Sequence, residues 1–432
     1  MRNIQVLLLV LAVSVCYSAA APSARDDKSV HWALLVAGSS GWGNYRHQAD
    51  VCHAYQVLHN HGIPDENIVV MMYDDIARNE NNPHKGVIIN RPKGPNVYTG
   101  VPKDYTGEQV TPKNFLAILQ GEKAAMQGIG SGKVIASGPN DNVFVFFSDH
   151  GATDLIAFPS STLSEKELQG ALEKMAAAKK FKKLVFYLEA CESGSMFDSY
   201  KIDNIYTTTA SSPDESSYAC YFDQDLETYL GDVYSVKWME NSDKADFSIE
   251  TLLQQFKIVK TETNTSHVHK YGDMSFDKDH LGEYQGKGPK IELDKSAKLT
   301  PVPLDAVPSP EVPMAILHRR LMAARDPRKR SEILKEITTL GQSQQAMVSV
   351  LQATVKTVLN DNGDRFDQVM TRHGVQVTNW DCYKTAVDHF SEKCFPFKKH
   401  DYALSLMYIL ANLCEEQVPT QLITTALDMQ CK

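Results

Sequence analysis

The sequence predicts an α/β domain with a mostly parallel sheet, followed by an all-helical C-terminal domain. Two short apolar runs, residues 143–147 and 183–188, are rich in aromatic and β-branched residues and lack polar alternation, as strands covered on both faces do. Between them, residues 164–181 begin with a serine cap and acids, end with lysines and carry apolar residues at helical spacing. Strand, helix and strand form a right-handed βαβ unit. After Pro327 only amphipathic helical patterns remain.

The other elements alternate as an α/β sheet requires. Strand patterns occupy residues 30–38 and 67–72, and helical patterns occupy residues 47–61 and 115–123. Residues 285–313 break this alternation with two proline-rich stretches, so we expect an extended, non-helical linker there. The rest of the chain predicts five helices, at residues 328–359, 364–372, 380–392, 400–413 and 420–429.

Composition and charge limit the classes of function. The chain has 432 residues, 43% of them hydrophobic, which is enough for two cores. Residues 27–300 carry 27 basic and 37 acidic side chains, a net charge of −10, whereas residues 327–432 carry 12 of each. An acidic first domain disfavours nucleic acid as a partner.

The N-terminus predicts entry into the secretory pathway. Residues 1–21 have the pattern of a signal peptide, with Arg2 before an apolar run and small residues around a cleavage site near Ala20. No later segment is long and apolar enough to span a membrane, so we expect no membrane anchor. Four of the eight cysteines lie within residues 382–431, which predicts two disulfides with three alternative pairings.

Each apolar run of the βαβ unit ends in a reactive side chain. His150 follows the first run and Cys191 follows the second. Because carboxyl ends of parallel strands meet at one edge of a sheet, we expect the two side chains to lie close together. An imidazole beside a thiol lowers its pKa and then protonates the leaving amine. The backbone N–H groups of Gly151 and Cys191 are the candidate oxyanion donors.

Four motifs extend this hypothesis to a family. Asp149-His150-Gly151 and the segments 189–195, 41–50 and 101–107 together resemble the legumain family of asparaginyl endopeptidases, essentially from end to end of the chain. The resemblance implies a caspase-like cysteine protease with a mostly parallel six-stranded sheet flanked by helices, and a C-terminal all-α, disulfide-linked prodomain. The implied organisation is a signal peptide (1–21), a catalytic domain (27–284), an activation linker (285–326) and a helical prodomain (327–432).

The resemblance also implies the activity. It predicts a lysosomal or vacuolar zymogen that cleaves after asparagine, also after aspartate in acid, with peptide ligation as a side activity. No metal or other cofactor is implied. The implied partners are asparagine-containing proteins and peptides, the chain's own prodomain as inhibitor, and cystatin-type inhibitors. Secretion of the zymogen is a further expectation.

Residue roles carry over from the matching positions. In the resemblance Cys191 is the nucleophile, His150 the acid-base group and Asn44 the residue that orients the imidazole, while Asp149 is prone to form a succinimide linked to ligation. The implied disulfides join Cys382 with Cys414 and Cys394 with Cys431.

The same resemblance implies the pocket for the substrate asparagine. An asparagine side chain has one carbonyl acceptor and one NH2 donor, so its pocket needs a cation opposite the oxygen and carboxylates opposite the nitrogen. Arg46, Glu189 and Asp232 match these positions, and Ser216 with Ser217 match the pocket wall and backbone contacts. Without the resemblance, Arg46 and Asp232 would be interpreted as solvated surface charges. Glu189 lies two residues before Cys191, so strand alternation would place both side chains on one side.

Several alternatives stay open at this stage. A transpeptidase or a non-catalytic protease-inhibitor or binding protein would fit the same fold, and the related transamidase is disfavoured because it needs a membrane anchor. A zinc site among His47, Cys52, His53, His59 and His61 is disfavoured by their spacing. Asn264 begins a glycosylation triplet.

Two departures from the family pattern bear on specificity and activation. Val233 replaces a tryptophan beside the pocket acid. The linker around residues 321–327 has no asparagine for self-cleavage, which leaves Asp326, Asp305, the basic pair at residues 319–320 or the three basic residues 328–330 as candidate activation sites.

Overall fold

The computed structural model describes residues 29–199, 201–288, 303–360, 363–374 and 376–431. The predicted signal peptide and residues 289–302 of the predicted linker lie outside these ranges. The strands are β1 (His31–Ala37), β2 (Ile68–Met71), β3 (Asn142–Ser148), β4 (Gly151–Ala152), β5 (Leu155–Phe158), β6 (Ser161–Ser164), β7 (Lys183–Glu189), β8 (Ile205–Thr209), β9 (Tyr218–Asp223), β10 (Thr228–Asp232), β11 (His269–Gly272) and β12 (Val307–Pro308).

Helices cover the sheet and form the C-terminal domain. They are α1 (Tyr45–Asn60), α2 (Pro112–Leu119), α3 (Glu165–Ala177), α4 (Val233–Ser242), α5 (Leu252–Glu262), α6 (Gly282–Gln285), α7 (Val312–Ala323), α8 (Pro327–Leu359), α9 (Gly363–Met370), α10 (Trp380–Lys393), α11 (Tyr408–Glu415) and α12 (Thr420–Gln430). None of the helices within the described ranges is long and apolar enough to cross a bilayer.

A six-stranded sheet with the order β11-β8-β7-β3-β1-β2 forms the centre of the first domain. Neighbouring strands are parallel except for the edge pair of β11 and β8. One face packs against α1, α4 and α5 and the other against α2 and α3. Both faces are therefore apolar, which explains the continuous hydrophobic runs of β3 and β7. The expected six-stranded, mostly parallel sheet is confirmed.

Strand register brings the carboxyl ends of β3 and β7 together. Ser148, at the end of β3, pairs with Glu189, at the end of β7. The next residue, Asp149, donates its backbone N–H to the Glu189 carbonyl oxygen at 3.0 Å. The segments that carry His150 and Cys191 thus leave the sheet side by side, as the strand argument predicted.

The C-terminal domain packs against this same edge. Its helical core includes Ala152 and Leu155 of the small β4–β5–β6 sheet, which directly follows His150. Disulfides join Cys382 to Cys414 and Cys394 to Cys431, so the pairing that the resemblance implied is confirmed. They connect α10 to α11 and to the end of α12.

The structure corrects three local predictions. The linker is not extended throughout, since a short 3-10 helix at Ser309–Glu311 leads into α7 at Val312. The prolines of these two helices do not prevent them from forming, because each lies in a first turn. A proline there lacks only an N–H group that would have no partner in any case. The predicted helix at residues 400–413 is a 3-10 segment, Asp401–Leu406, followed by α11. The strand β7 ends at Glu189, so Cys191 lies in the following turn and strand alternation does not orient it.

Candidate active site

His150 and Cys191 leave adjacent strands at the carboxyl edge of the sheet. A glycine is required next to His150, because a Cβ at Gly151 would lie 2.1 Å from the carbonyl oxygen of Cys191. Glycine at position 151 therefore lets the segments that carry His150 and Cys191 lie closer together than any other residue would.

The Cys191 thiol is buried, and its sulfur lies 3.7 Å from the Ser217 hydroxyl oxygen. Burial raises the pKa of Cys191 to about 12, and the neighbouring Glu192 charge acts in the same direction. Hydrogen bonds from Ser217 and Ser216 oppose this shift. In this closed form the sulfur is therefore a neutral thiol, which is a poor nucleophile.

The His150 imidazole has two oxygen partners on the same nitrogen. Its Nε2 lies 2.9 Å from Asn44 Oδ1 and 3.4 Å from Asp401 Oδ2. The Asn44 amide is fixed because its Nδ2 donates to the Ser40 carbonyl oxygen at 3.2 Å. Since both partners are acceptors, Nε2 carries a proton, and Nδ1 is the nitrogen that remains for proton exchange with a thiol or substrate.

Arg46 and Asp232 form a buried ion pair rather than solvated surface charges. Arg46 Nε lies 2.9 Å from Asp232 Oδ1, and both side chains are at most 1% exposed. The guanidinium also donates to the Gly43 carbonyl oxygen at 3.2 Å and to the Ser309 hydroxyl oxygen at 2.7 Å. The cation is therefore fixed by the protein and by one linker residue.

Two buried carboxylate oxygens of the predicted pocket residues accept no N–H hydrogen bond from the described residues. Glu189 Oε2 accepts from the Ser235 N–H at 3.0 Å and the Ser235 hydroxyl at 2.9 Å, whereas Oε1 accepts no N–H hydrogen bond. Asp232 Oδ2 also lacks one. Buried acceptors that lack donors are costly, so these two oxygens are suited to a ligand that brings N–H groups.

Segments from the linker and the C-terminal domain cover this site. Strand β12 pairs antiparallel with β9, and the Ser309 N–H donates to the Ser217 carbonyl oxygen at 2.9 Å. From the C-terminal domain, Asp401 reaches His150, and Arg372 Nη1 lies 2.7 Å from Glu192 Oε1. The structure is therefore that of a closed form.

Sequence reasoning missed Ser309, Arg372 and Asp401, since nothing in their local sequence distinguishes them from ordinary linker or surface residues. It also did not assign His47 or Asp50, although both lie in the segment 41–50 that carries the resemblance.

His47 packs beside the acid-base residue. Its ring is fully buried, with Nδ1 2.6 Å from the Ser39 hydroxyl oxygen and 3.3 Å from Asp149 Oδ1. The His47 and His150 rings meet edge to face at 4.9 Å. Burial lowers the pKa of His47 well below its ordinary value, and the charges of Arg46 and His150 add to this effect. His47 is therefore a neutral imidazole.

The other histidines of the predicted helix do not share a centre with His47. His53 contacts Asp243 at 3.0 Å, His59 contacts Asp65 at 3.1 Å, and His61 stacks on Phe247 at 3.7 Å. These three residues reach different neighbours.

Two further predicted residues can be located. Val233, at the start of α4, is buried and packs in the hydrophobic core. Asn264 is exposed, so it is accessible for a glycan.

Comparisons with known proteins identify the family of this chain. Residues 31–287 match the Peptidase C13 family, and residues 332–431 match the prodomain of legumain. The chain belongs to the peptidase C13 family. Legumain from Rattus norvegicus is 48% identical, over 94% of this chain and 93% of its own length. Legumain from Homo sapiens is 46% identical over 94% of each chain, and the vacuolar-processing enzyme delta-isozyme of Arabidopsis thaliana is 39% identical over 95% of this chain and 92% of its own.

Among solved structures, caspase-1 from Spodoptera frugiperda is 12% identical with a TM-score of 0.35, covering 60% of this chain and 91% of that chain. The family assignment rests on the sequence matches. As a C13 peptidase, this chain is a cysteine endopeptidase that carries its own prodomain.

Proposed function

We propose that this C13 peptidase cleaves peptide bonds after asparagine. The observation that supports the proposal most is the combination of one fixed cation, Arg46, with two buried carboxylate oxygens, of Glu189 and Asp232, that accept no N–H hydrogen bond from the described residues. Arg46 would donate to the substrate carbonyl oxygen, and the two carboxylates would accept from its NH2 group. Ser216 and Ser217 would line the pocket wall next to the sulfur.

The proposed chemistry is acyl transfer through a thioester. His150 would take the thiol proton, and Cys191 would attack the scissile carbonyl carbon while backbone N–H groups of Gly151 and Cys191 stabilise the oxyanion. His150 would then protonate the leaving amine, and water would hydrolyse the thioester in the second half of the reaction. Asn44 would hold the imidazole with Nδ1 facing the sulfur.

The pocket should accept aspartate only when its side chain is protonated. A neutral carboxylic acid has an O–H donor and a C=O acceptor, as an amide does, whereas a carboxylate would face Glu189 and Asp232 without a proton to share. Since the pKa of an aspartate side chain is about 3.9, cleavage after aspartate should increase steadily as the pH falls. Equal aspartate cleavage at neutral and acidic pH would contradict this pocket chemistry.

In the proposed cycle the zymogen is kept inactive by the prodomain and linker, and the enzyme acts in a lysosome or vacuole after travelling the secretory pathway. The contacts of Asp401 with His150 and of Ser309 with Arg46 support the inhibition. The names of the legumain and vacuolar-processing relatives support the compartment. Secretion of the zymogen and inhibition by cystatin-type proteins remain predictions.

Ligation is a second candidate activity, centred on Asp149. Burial raises the pKa of Asp149 to about 7, while the His150 charge and the hydrogen bond from the His150 backbone N–H oppose the shift. A carboxyl that is largely neutral in acid and touches the following amide nitrogen is suited to succinimide formation. Mass spectrometry of the acid-treated Cys191→Ala variant would test this, because succinimide formation removes one water from the protein mass. Asp149→Asn in the same background should change the rate at which this mass loss appears.

The proposed specificity is tested with fluorogenic peptides that differ only in asparagine, aspartate or glutamine before the reporter. The zymogen is incubated at about pH 5, where acid-dependent changes of carboxylates and histidines begin, and Cys191→Ala is treated identically. Cleavage confined to asparagine, with weaker aspartate cleavage and none in the variant, supports the proposal. If no peptide is cut even after an added protease opens the linker, the non-catalytic inhibitor or binding protein becomes the better interpretation.

A further inference from the structure

A third carboxyl lies behind the pocket. Asp50, on α1, is completely buried, and its neighbours include the carboxyls of Asp232 and Glu189. Among the described residues, Arg46 is the permanent cation that pairs with this group of carboxyls, since His47 is a neutral imidazole. Three buried carboxylates beside one guanidinium would leave an uncompensated charge of large energetic cost.

Asp50 is held by neutral donors. Its Oδ1 accepts from Asn90 Nδ2 at 2.8 Å, and its Oδ2 accepts from the Ser148 hydroxyl at 3.2 Å. Asn90 Nδ2 also donates to the Leu230 carbonyl oxygen at 2.9 Å, which ties Asp50 to the strand that carries Asp232. No cation within the described part of the chain forms an ion pair with Asp50.

The carboxyls of Asp50 and Asp232 lie within hydrogen-bonding reach of each other, and a Cβ at Gly231, the residue before Asp232, would lie 3.2 Å from Asp50 Oδ1. Because two carboxylates have no donor between them, one of the pair must carry a proton. Asp232 lies 2.9 Å from the Arg46 guanidinium, which favours its ionised form. Burial raises the pKa of Asp50 well above its ordinary value, and the charges of Asp232 and Glu189 act in the same direction. The proton therefore belongs on Asp50.

We propose that Asp50 is a positioning residue that donates a carboxylic-acid hydrogen bond to Asp232 and thereby sets the charge and geometry of the substrate pocket. This inference rests on the proposed function, because it assumes that Asp232 faces the substrate amide. Asp50 itself does not touch the substrate. With Asp50 neutral, no further negative charge is added behind the Arg46–Asp232 ion pair. Loss of the Asp50 proton would add a negative charge and turn the Asp232 oxygen away.

Three variants separate a proton donor from a structural residue. Asp50→Asn keeps a donor toward Asp232 but has no proton to lose, whereas Asp50→Ala has no donor. Asp141→Asn is the matched control, because Asp141 is also buried but accepts from the backbone N–H groups of Val30 and Gly138, away from the pocket. All are activated by the same linker cut, and initial rates are measured at several pH values.

We expect Asp50→Asn to keep kcat/KM for the asparagine peptide within about threefold of wild type, and Asp50→Ala to lose at least about tenfold, mostly through KM, because a buried acceptor loses its donor. In wild type the alkaline decline of kcat/KM should include Asp50 ionisation, so in Asp50→Asn this decline should move to higher pH. Asp141→Asn should not move it. Equal losses in Asp50→Asn and Asp50→Ala, or no loss in Asp50→Ala, would overturn the proposal.

An activity-independent measurement locates the proton directly. In the Cys191→Ala zymogen, the infrared difference spectrum between the protein with Asp50 intact and its Asp50→Asn variant should contain one carbonyl stretch of a buried neutral carboxylic acid at neutral pH. If this band is present but the wild-type enzyme cuts no asparagine peptide, the proposed function fails while the proton assignment stands. If the spectra do not differ in this band, Asp50 is ionised and the inference is wrong, whatever the activity. Circular dichroism of each variant establishes that it is folded.

Discussion

The ion pair between Arg372 and Glu192 should contribute strongly to docking of the C-terminal domain. Arg372 Nη1 lies 2.7 Å from Glu192 Oε1, and Glu192 is only 2% exposed. Removing one partner of such a pair costs about 3 kcal/mol because the other charge stays buried, which is about 150-fold in a docking equilibrium. A second interdomain pair, Lys398–Glu108 at 3.0 Å, is the natural control, since Glu108 is 70% exposed and such pairs contribute about 0–1 kcal/mol.

The perturbation is Arg372→Met, compared with Lys398→Met, in a Cys191→Ala background. Arg372 also hydrogen-bonds the Ser405 carbonyl oxygen and lies 5.0 Å from the Tyr408 ring within its own domain. A double-mutant cycle with Glu192→Gln therefore isolates the interdomain contribution from the intradomain one. Once the linker is cut by an added protease, the dissociation constant of the C-terminal domain is measured at constant salt.

The sign of the pH dependence follows from Glu192. Burial raises the pKa of Glu192 to about 8, and the Arg372 charge opposes that shift. The attraction between a guanidinium and a carboxylate is present only while the carboxylate is ionised, so the coupling should be largest above about pH 8 and decrease as the pH falls through that pKa. A coupling energy below about 0.5 kcal/mol at alkaline pH, or equal coupling for the buried and exposed pairs, would refute the reasoning.

Three other predictions follow from single contacts. Ser309→Asn should slow activation of the zymogen, measured as the lag before peptide cleavage. The introduced asparagine amide can fill the pocket beside Arg46, while Pro310 protects the following peptide bond from cleavage. A shorter lag would count against this occupancy. Arg46→Lys should lower kcat/KM for the asparagine peptide about 100-fold, since a single ammonium cannot reproduce the several N–H donors that a guanidinium holds in one plane. Alkylation of Cys191 by iodoacetamide should be unchanged. Loss of both cleavage and alkylation would instead indicate misfolding. Replacing Cys394 and Cys431 by serine, a pair separated by 37 residues, should lower the free energy of unfolding of the C-terminal domain by about 4 kcal/mol in chemical denaturation, whereas a native-like midpoint would indicate that packing alone suffices.

Sequence patterns predicted the sheet because strands that are buried on both faces are apolar throughout, and this is visible in the local sequence. The runs that became β3 and β7 are apolar throughout, and the Ser164 cap with Glu167 begins α3 as the pattern indicated. The linker was harder, because a proline such as Pro313 is excluded from helix interiors but suits a first turn. Local sequence does not state which of these two positions a proline will occupy.

The candidate site likewise contains residues that local sequence predicts and residues that it does not. His150 and Cys191 were predictable because each follows a strand whose end must lie at one edge of the sheet. Arg46 and Asp232 were not predictable as buried charges from local pattern, since their pairing joins residues 186 positions apart in the sequence. A buried ion pair has no hydrophobic periodicity, and only the family resemblance assigned both residues to the pocket.

In the closed form, the covering segments that the structure describes leave part of the pocket without hydrogen-bond partners. The covering segments use side chains that satisfy the site without forming a bond to it: Ser309 accepts from Arg46, and Asp401 accepts from His150. Neither contact brings an N–H group to Glu189 Oε1 or Asp232 Oδ2. Under the proposed specificity, a substrate asparagine would supply this N–H donor and would gain hydrogen bonds that the covering segments lack. The closed form would thus leave part of the pocket's binding energy for the substrate once the covering segments are displaced.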